Sequence, residues 1–183
     1  MCYNEFESKN ILIFCVERIM KIFDGIISRP SVRLHNFKPI EIEIINQIIE
    51  SAIWAPSGKN GQPWKFKIIT EQNIIEEISK LSANSRWIET ALCLIIVYLD
   101  KMCSYHYVKD VQSCGAAIQN MLLAAHEMGV GSCWIGSLLE KADDINKLLE
   151  VDDSLELMSV VSFGYGRGKS INVGRKDINE FLL

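Results

Sequence analysis

The chain has 183 residues, 49% of them hydrophobic and 23% charged, which suits one globular domain and excludes a disordered chain. A formal net charge of -4 without a strong basic run argues against a nucleic-acid partner, whose phosphates call for a basic face. The longest apolar run, 91–99, is less than half the roughly 20 residues of a membrane-crossing helix, so no membrane partner is expected; the six cysteines form no CxxC pair and are expected as buried, reduced thiols of a cytoplasmic protein.

Residues 1–19 are short of turn chemistry and connect to no clear element. The apolar stretch 11–16 lacks a basic region before it and a small-residue cleavage site after it, so it does not read as a signal peptide. The expected organisation is an N-terminal extension over 1–19, either mobile or an upstream stretch added by the choice of start site, and one domain over 20–183.

A short helix is expected over 21–28. A second, 39–55, carries Ile40, Ile44, Ile45, Ile48, Ile49, Ala52 and Ile53 on one face. Pro39 suits its first turn and Pro56 stops it. Trp54, just before that stop, faces either a ligand or the core. Residues 64–70 alternate as a strand. Residues 73–81 form a helix with Ile74, Ile75, Ile78 and Leu81 on one side. The run 91–99 is apolar on both faces and reads as a central strand. A long helix over 110–128 ends at Gly129, a left-handed cap. It is apolar nearly all round, so it is either a central helix or a subunit interface. A short strand over 132–135, a helix over 143–149 and a strand over 157–165 complete the series. Asp143 and Asp144 open their helix, and Asp152 and Asp153 are surface charges. Helices and strands do not alternate regularly, which favours α+β over a doubly wound sheet.

Four segments carry candidate chemistry. Arg29-Pro30-Ser31-Val32-Arg33 places two guanidinium forks and a hydroxyl after a helix, a set that suits phosphate oxygens or a solvated basic turn. The loop 55–64 (APSGKNGQPW) is rigid and polar, and the amides of Asn60 and Gln62 can read a heterocycle edge. In 129–136 (GVGSCWIG), glycines on both sides of a strand allow backbone amides to approach a ligand. The fourth, 164–169 with Gly174-Arg175-Lys176, hints at a phosphate loop, but Phe163 stands where a Walker loop requires glycine and no helix follows. The third and fourth segments also miss the GxGxxG fingerprint, so neither a P-loop nor a Rossmann site is expected. His35, His106 and His126 are too dispersed for a metal site. His126 is expected to pack within its apolar helix, and His106 to sit in an exposed loop.

Taken together, RPSVR, APSGKNGQPW, QNMLLAAHEMGVGSCWIG and SFGYGRG with Arg175 resemble the nitroreductase family of flavoproteins over about 20–176. The resemblance implies an α+β nitroreductase-like fold, with a central, mostly antiparallel sheet flanked by helices, in a homodimer with FMN at its interface. By the same resemblance Arg29, Pro30, Ser31 and Arg33 hold the FMN phosphate and ribityl chain, joined by Arg175. Pro56, Ser57, Gly58, Asn60 and Gln62 belong to the loop that reaches the flavin from the other subunit, and Trp134, Ile135 and Gly136 lie against its ring. The implied activity takes hydride from NADH or NADPH and passes it to a nitroaromatic, quinone or similar small acceptor, with no side chain as a catalytic group. A sibling reaction on the same scaffold, such as reductive dehalogenation or flavin breakdown, and a non-catalytic flavin-binding protein are the alternatives. The stretch between Asp100 and Asp110 is brief, which leaves the pocket's lid undefined.

Overall fold

The computed structural model describes residues 22–168 and 173–183. The expected extension over 1–19, with Cys2 and Cys15, lies outside the described residues, as do Lys21 and Lys169.

Four strands form one antiparallel sheet in the order β1-β2-β4-β3. They are β1 (Trp64–Ile69), β2 (Cys93–Asp100), β3 (Gly131–Ile135) and β4 (Leu155–Gly164). Strand β2 is the central strand its composition implies, buried from Cys93 to Leu99. Its side chains alternate between two cores, as the pleat requires. Ile95, Val97 and Leu99 meet α2 (Ile42–Ile53) and α5 (Tyr107–Glu127) on one face. Leu94, Ile96 and Tyr98 meet α3 (Gln72–Lys80), α4 (Ser85–Ile88) and α6 (Ala142–Leu148) on the other. The result is three layers, helices on both faces of one sheet, which is the α+β class expected. Residues 22–28 are helical and are called α1.

Several boundaries move for identifiable reasons. Helix α2 does not start at Pro39: the amides of Ile44 and Ile45 both donate to the Glu41 carbonyl, and Glu41 itself is extended, so Pro39 stays outside. Helix α5 starts at Tyr107 rather than Asp110, because the Asp110 carboxylate reaches back to the preceding turn. Short helical turns at Gly58–Asn60, Gly136–Lys141 and Ile178–Glu180, and helix α4, carry no periodic signal and were not expected.

Helix α5 packs through Cys114, Ala117, Ile118, Met121, Leu122 and Ala125, one face at helical spacing. Contacts within the chain therefore account for that face by themselves, and most of the remaining surface is only half-buried. Cys93, Cys114 and Cys133 are buried as expected, but Cys103 is exposed, its thiol turned to the Asp100 carboxylate at 3.4 Å. Trp54 does not enter the core either; it is 80% exposed at the end of α2.

Candidate functional site

The segment after α1 leaves its helix with Arg29 N donating to Gly25 O at 3.1 Å and then runs extended along the sheet. Val32 N donates to Ser132 O at 2.9 Å, Asn36 N to Tyr165 O at 2.8 Å, and Arg167 N to Leu34 O at 2.8 Å. His35 pairs with Gly166 as an isolated antiparallel bridge. Three of the four sequence segments thus meet where β3 begins and β4 ends.

Two glycines make this contact possible. A Cβ on Gly131 would meet the Val32 side chain at 2.7 Å, and one on Gly164 would meet the His35 ring at 2.7 Å. Gly131 is therefore present for close packing of backbone on side chain, not for ligand approach. Gly136 differs: nothing lies within 4 Å of where its Cβ would stand. Gly129 takes φ +73°, the left-handed cap expected of it.

An extended chain turns alternate side chains to opposite sides. Val32 is buried on β3, while Ser31 and Arg33 are exposed on the other side. Arg29, Ser31 and Arg33 converge near the Cys133 thiol of β3. Burial pushes that thiol up, while Arg33, a hydrogen bond from Ser31 and Arg29 all work to lower it. Arg33 also lies 6.0 Å from the Trp87 ring centroid. The Arg29 Nε is buried and has no partner, and Arg29 Nη1 reaches only Pro30 O at 3.5 Å. Among the described residues neither guanidinium pairs with a carboxylate. Two uncompensated cations, one with a buried orphan donor, form a place for an anion.

Behind this face lies a cavity of about 220 Å³, lined by Arg29, Pro30, Val32, His126, Gly166 and the 129–132 backbone. His126 does not pack in the core as expected. It is half-buried, and its Nε2 lies 2.8 Å from Ser28 Oγ. Along β3, Cys133 and Ile135 are buried while Trp134 is 44% exposed. Trp134, Ile135 and Gly136 therefore lie on the strand that carries the Arg29–Arg33 contact, at its other end.

The remaining predicted residues lie elsewhere. Ser57 leads into the turn Gly58–Asn60; its Oγ accepts from Gln62 N at 3.0 Å and its carbonyl from Asn60 N at 3.0 Å. Gln62 spends its side-chain amide on the Asn60 carbonyl at 3.3 Å, so it is less free to read a ligand than expected. Lys59, Asn60 and Gln62 all have positive φ, at 55°, 55° and 46°. Such conformations in non-glycine residues cost on the order of 1–3 kcal/mol each and concentrate at functional sites. This loop adjoins the N-terminal end of α5, where Lys59 and Lys109 both approach the Tyr105 ring. His126 is at the other end of the same helix, seventeen residues beyond Lys109 and so about 25 Å away. One chain does not bring the Pro56 loop and Arg29 together. Arg175 is exposed, and its Nη1 donates to its neighbours Val173 O at 2.7 Å and Gly174 O at 3.3 Å.

The 101–106 stretch is not a free lid. Tyr105 packs on Gly58, and the chain is tied to Asp110. Sequence reading missed Cys133, His126 and Tyr105 as parts of these surfaces. The exposed His106 is as expected. No helix among the described residues is long and apolar enough to cross a membrane, and those residues hold no cluster of three or more metal-ligating side chains.

Comparison with known proteins agrees with this architecture. The model of the nitroreductase family matches residues 26–91 and 80–165. A relative in Archaeoglobus fulgidus, named as a candidate NADH dehydrogenase/NAD(P)H nitroreductase, is 34% identical over 143 residues, 76% of this chain and 82% of its own. Among solved structures, a candidate nitroreductase from Desulfovibrio desulfuricans in complex with FMN is 31% identical, with a TM-score of 0.85 over 88% of this chain and 95% of the other. The NADPH:FMN oxidoreductase of Vibrio harveyi, solved with NAD+, shares the fold at a TM-score of 0.80 and 20% identity over 89% of this chain and 76% of the other. With a family model spanning most of its length and a relative above 30% identity, the chain belongs to the nitroreductase family.

Proposed function

We propose that the protein is an FMN-dependent oxidoreductase that works as a homodimer, drawing hydride from NADH or NADPH and reducing nitroaromatics, quinones or similar small electron-poor acceptors. The observation that carries this reading is the buried, unpartnered Arg29 Nε beside Ser31 and Arg33, with no carboxylate on either guanidinium. The family supplies the kind of anion: the Desulfovibrio relative was solved with FMN.

The residues fit such a cofactor. Arg29 and Arg33 would hold a phosphate by charge-assisted hydrogen bonds, Ser31 would add a hydroxyl for the ribityl chain, and Pro30 would stiffen the segment between them. Arg175 would join them on the phosphate once its donors leave the neighbouring carbonyls. Trp134 would bound the ring through its side chain and Ile135 only through its backbone, since the Ile135 side chain is buried in the core, and the open space at Gly136 would let backbone come close. Bound FMN would supply the hydride chemistry; the protein binds, orients and tunes it. A positive group beside the ring, rather than the arginines on the phosphate, would favour the more negative reduced cofactor, an electrostatic contribution of the oxyanion-hole kind. No side chain is required as a nucleophile.

The dimensions of one chain favour a homodimer. Its cavity of about 220 Å³ falls below the roughly 300–1,000 Å³ of pockets for cofactor-sized ligands. Pro56, Ser57, Gly58, Asn60 and Gln62 lie at the far end of α5, so this loop reaches a flavin only from a second copy.

The test is direct. Purified protein is expected to be yellow, to release FMN on denaturation, and to bleach on anaerobic mixing with NADH or NADPH. Arg29→Ala with Arg33→Ala is expected to weaken FMN binding about a hundredfold or more, since each hydrogen bond to a charged group contributes about 1.5–3 kcal/mol. A double variant that keeps one FMN per chain refutes the phosphate assignment, and a flavin that never bleaches refutes the enzyme.

A further inference from the structure

The loop that holds Lys59, Asn60 and Gln62 at positive φ is not kept there by its own bonds alone. Strained backbone persists only where the surroundings over-determine it. Two hydrogen bonds to Ser57 and one from Gly61 N to Gly58 O at 3.0 Å close the turn from inside. Tyr105 is a contact from outside. A Cβ placed on Gly58 would clash with the Tyr105 hydroxyl and stand 2.6 Å from its ring carbons, so the ring lies flush on the glycine. The Lys59 ammonium lies 4.9 Å from the ring centroid and the Lys109 ammonium 5.6 Å, so Tyr105 engages both the loop and the first turn of α5.

Tyr105 is itself held. Ser104 Oγ, Tyr105 N and His106 N donate to one oxygen of the buried Asp110 carboxylate at 2.8, 3.0 and 2.9 Å. The first turn of α5 thus anchors the 104–106 backbone, and that backbone presses an aromatic ring onto the loop.

We propose that Tyr105, anchored through Asp110, is the positioning residue of the 57–62 loop, holding its left-handed backbone in the form that meets the cofactor. The cofactor half of this statement rests on the flavin reading above; the structural half does not. The 104–106 stretch thus acts as a prop beneath the loop.

The experiment compares Tyr105→Ala with Tyr105→Phe. Amide hydrogen exchange is read for 57–62 in the flavin-free protein, and FMN titration and steady-state kinetics are read for the loaded protein. In Tyr105→Ala, exchange of 57–62 is expected to quicken at least tenfold, the FMN dissociation constant to rise at least tenfold, and KM for the acceptor to rise more than kcat falls. The urea midpoint is expected to stay near the parent's, because Tyr105 is partly exposed. Tyr105→Phe keeps the ring and both ammonium contacts, and it is expected to restore all three readings. Parental exchange in Tyr105→Ala overturns the proposal, as does quickened exchange with parental FMN affinity. A parent that takes up no flavin sinks the cofactor reading, and the exchange data then decide the prop by themselves.

Discussion

His35 is the residue where burial is most consequential. It is 2% exposed, its ring rests on Gly164, its Nδ1 lies 3.4 Å from Thr90 Oγ1, and its Nε2 has no partner. Burial lowers its pKa from 6.5 to about 4. Below pH 6.5 the unfolded chain therefore takes up a proton that the folded chain refuses. Stability is full above that value, falls as pH drops from 6.5 to about 4, and is not lost further on this account below it. The whole loss is on the order of 3 kcal/mol. The carboxyls of Asp100, Asp110 and Asp152 sit below their ordinary 3.8, so their stabilisation is lost only at still lower pH, outside the histidine window. Urea midpoints at about pH 7 and about pH 4 measure the effect, and His35→Gln is expected to remove most of the difference. An equal pH dependence in the two proteins would mean that the ring accepts a proton in the fold. Nothing in the sequence announces this histidine. Its burial depends on Gly164, far along the chain, whereas Arg29, Ser31 and Arg33 suit either phosphate or a solvated basic turn by residue type, and the family resemblance is what singles out phosphate.

At the scale of elements, the docking of the 29–33 segment on β3 is the joint that builds the proposed anion site. The prediction concerns Gly131 and Val32, which meet there with no room for a Cβ. Gly131→Ala is expected to lower stability by about 1–3 kcal/mol through overpacking. Val32→Ala alone is also expected to destabilise, since Val32 is buried. The two together are expected to cost less than their sum, because the second change removes the atoms that the first one strikes. A urea-denaturation double-mutant cycle reads the coupling; strict additivity would show that the segment does not press on β3 in solution. The elements themselves were largely legible. Strand β2 was readable as central from its unbroken apolar run, α2 from its periodicity, and α5 from its length, its apolar character nearly all round and the Gly129 cap. Their ends were less so. The start of α5 is set by a carboxylate folding back on residues 104–106, and the start of α2 by which carbonyl first accepts a bond. Helix α4, only four residues long, has no period to detect. Glycine also reads ambiguously: Gly131 and Gly136 flank the same strand, yet one admits a valine and the other faces open space.

For the whole molecule, the proposed function requires two surfaces at opposite ends of α5 to act as one site. The described chain leaves Phe23 60%, Ile26 50%, Phe181 65% and Leu182 66% exposed, large apolar side chains that a second chain would be able to cover. In the proposed homodimer a symmetric pair would give these side chains a partner and would carry each loop to the other chain's arginines. Subunit complementation tests this. One variant, Arg29→Ala with Arg33→Ala, spoils the phosphate half; another, Ser57→Ala with Asn60→Ala, spoils the loop half. Each is expected to form dimers with little flavin. After mixing and exchange of subunits, half of the dimers are mixed. In a mixed dimer one site collects both lesions and the other collects none, so about a quarter of all sites are intact. Flavin content and turnover of the mixture are expected to rise together towards that fraction, and neither variant alone recovers with time. If the subunits exchange, as mass measurement on one tagged chain will report, and no activity returns, then each site is built within a single chain and the Pro56 loop has no part in its neighbour's cofactor.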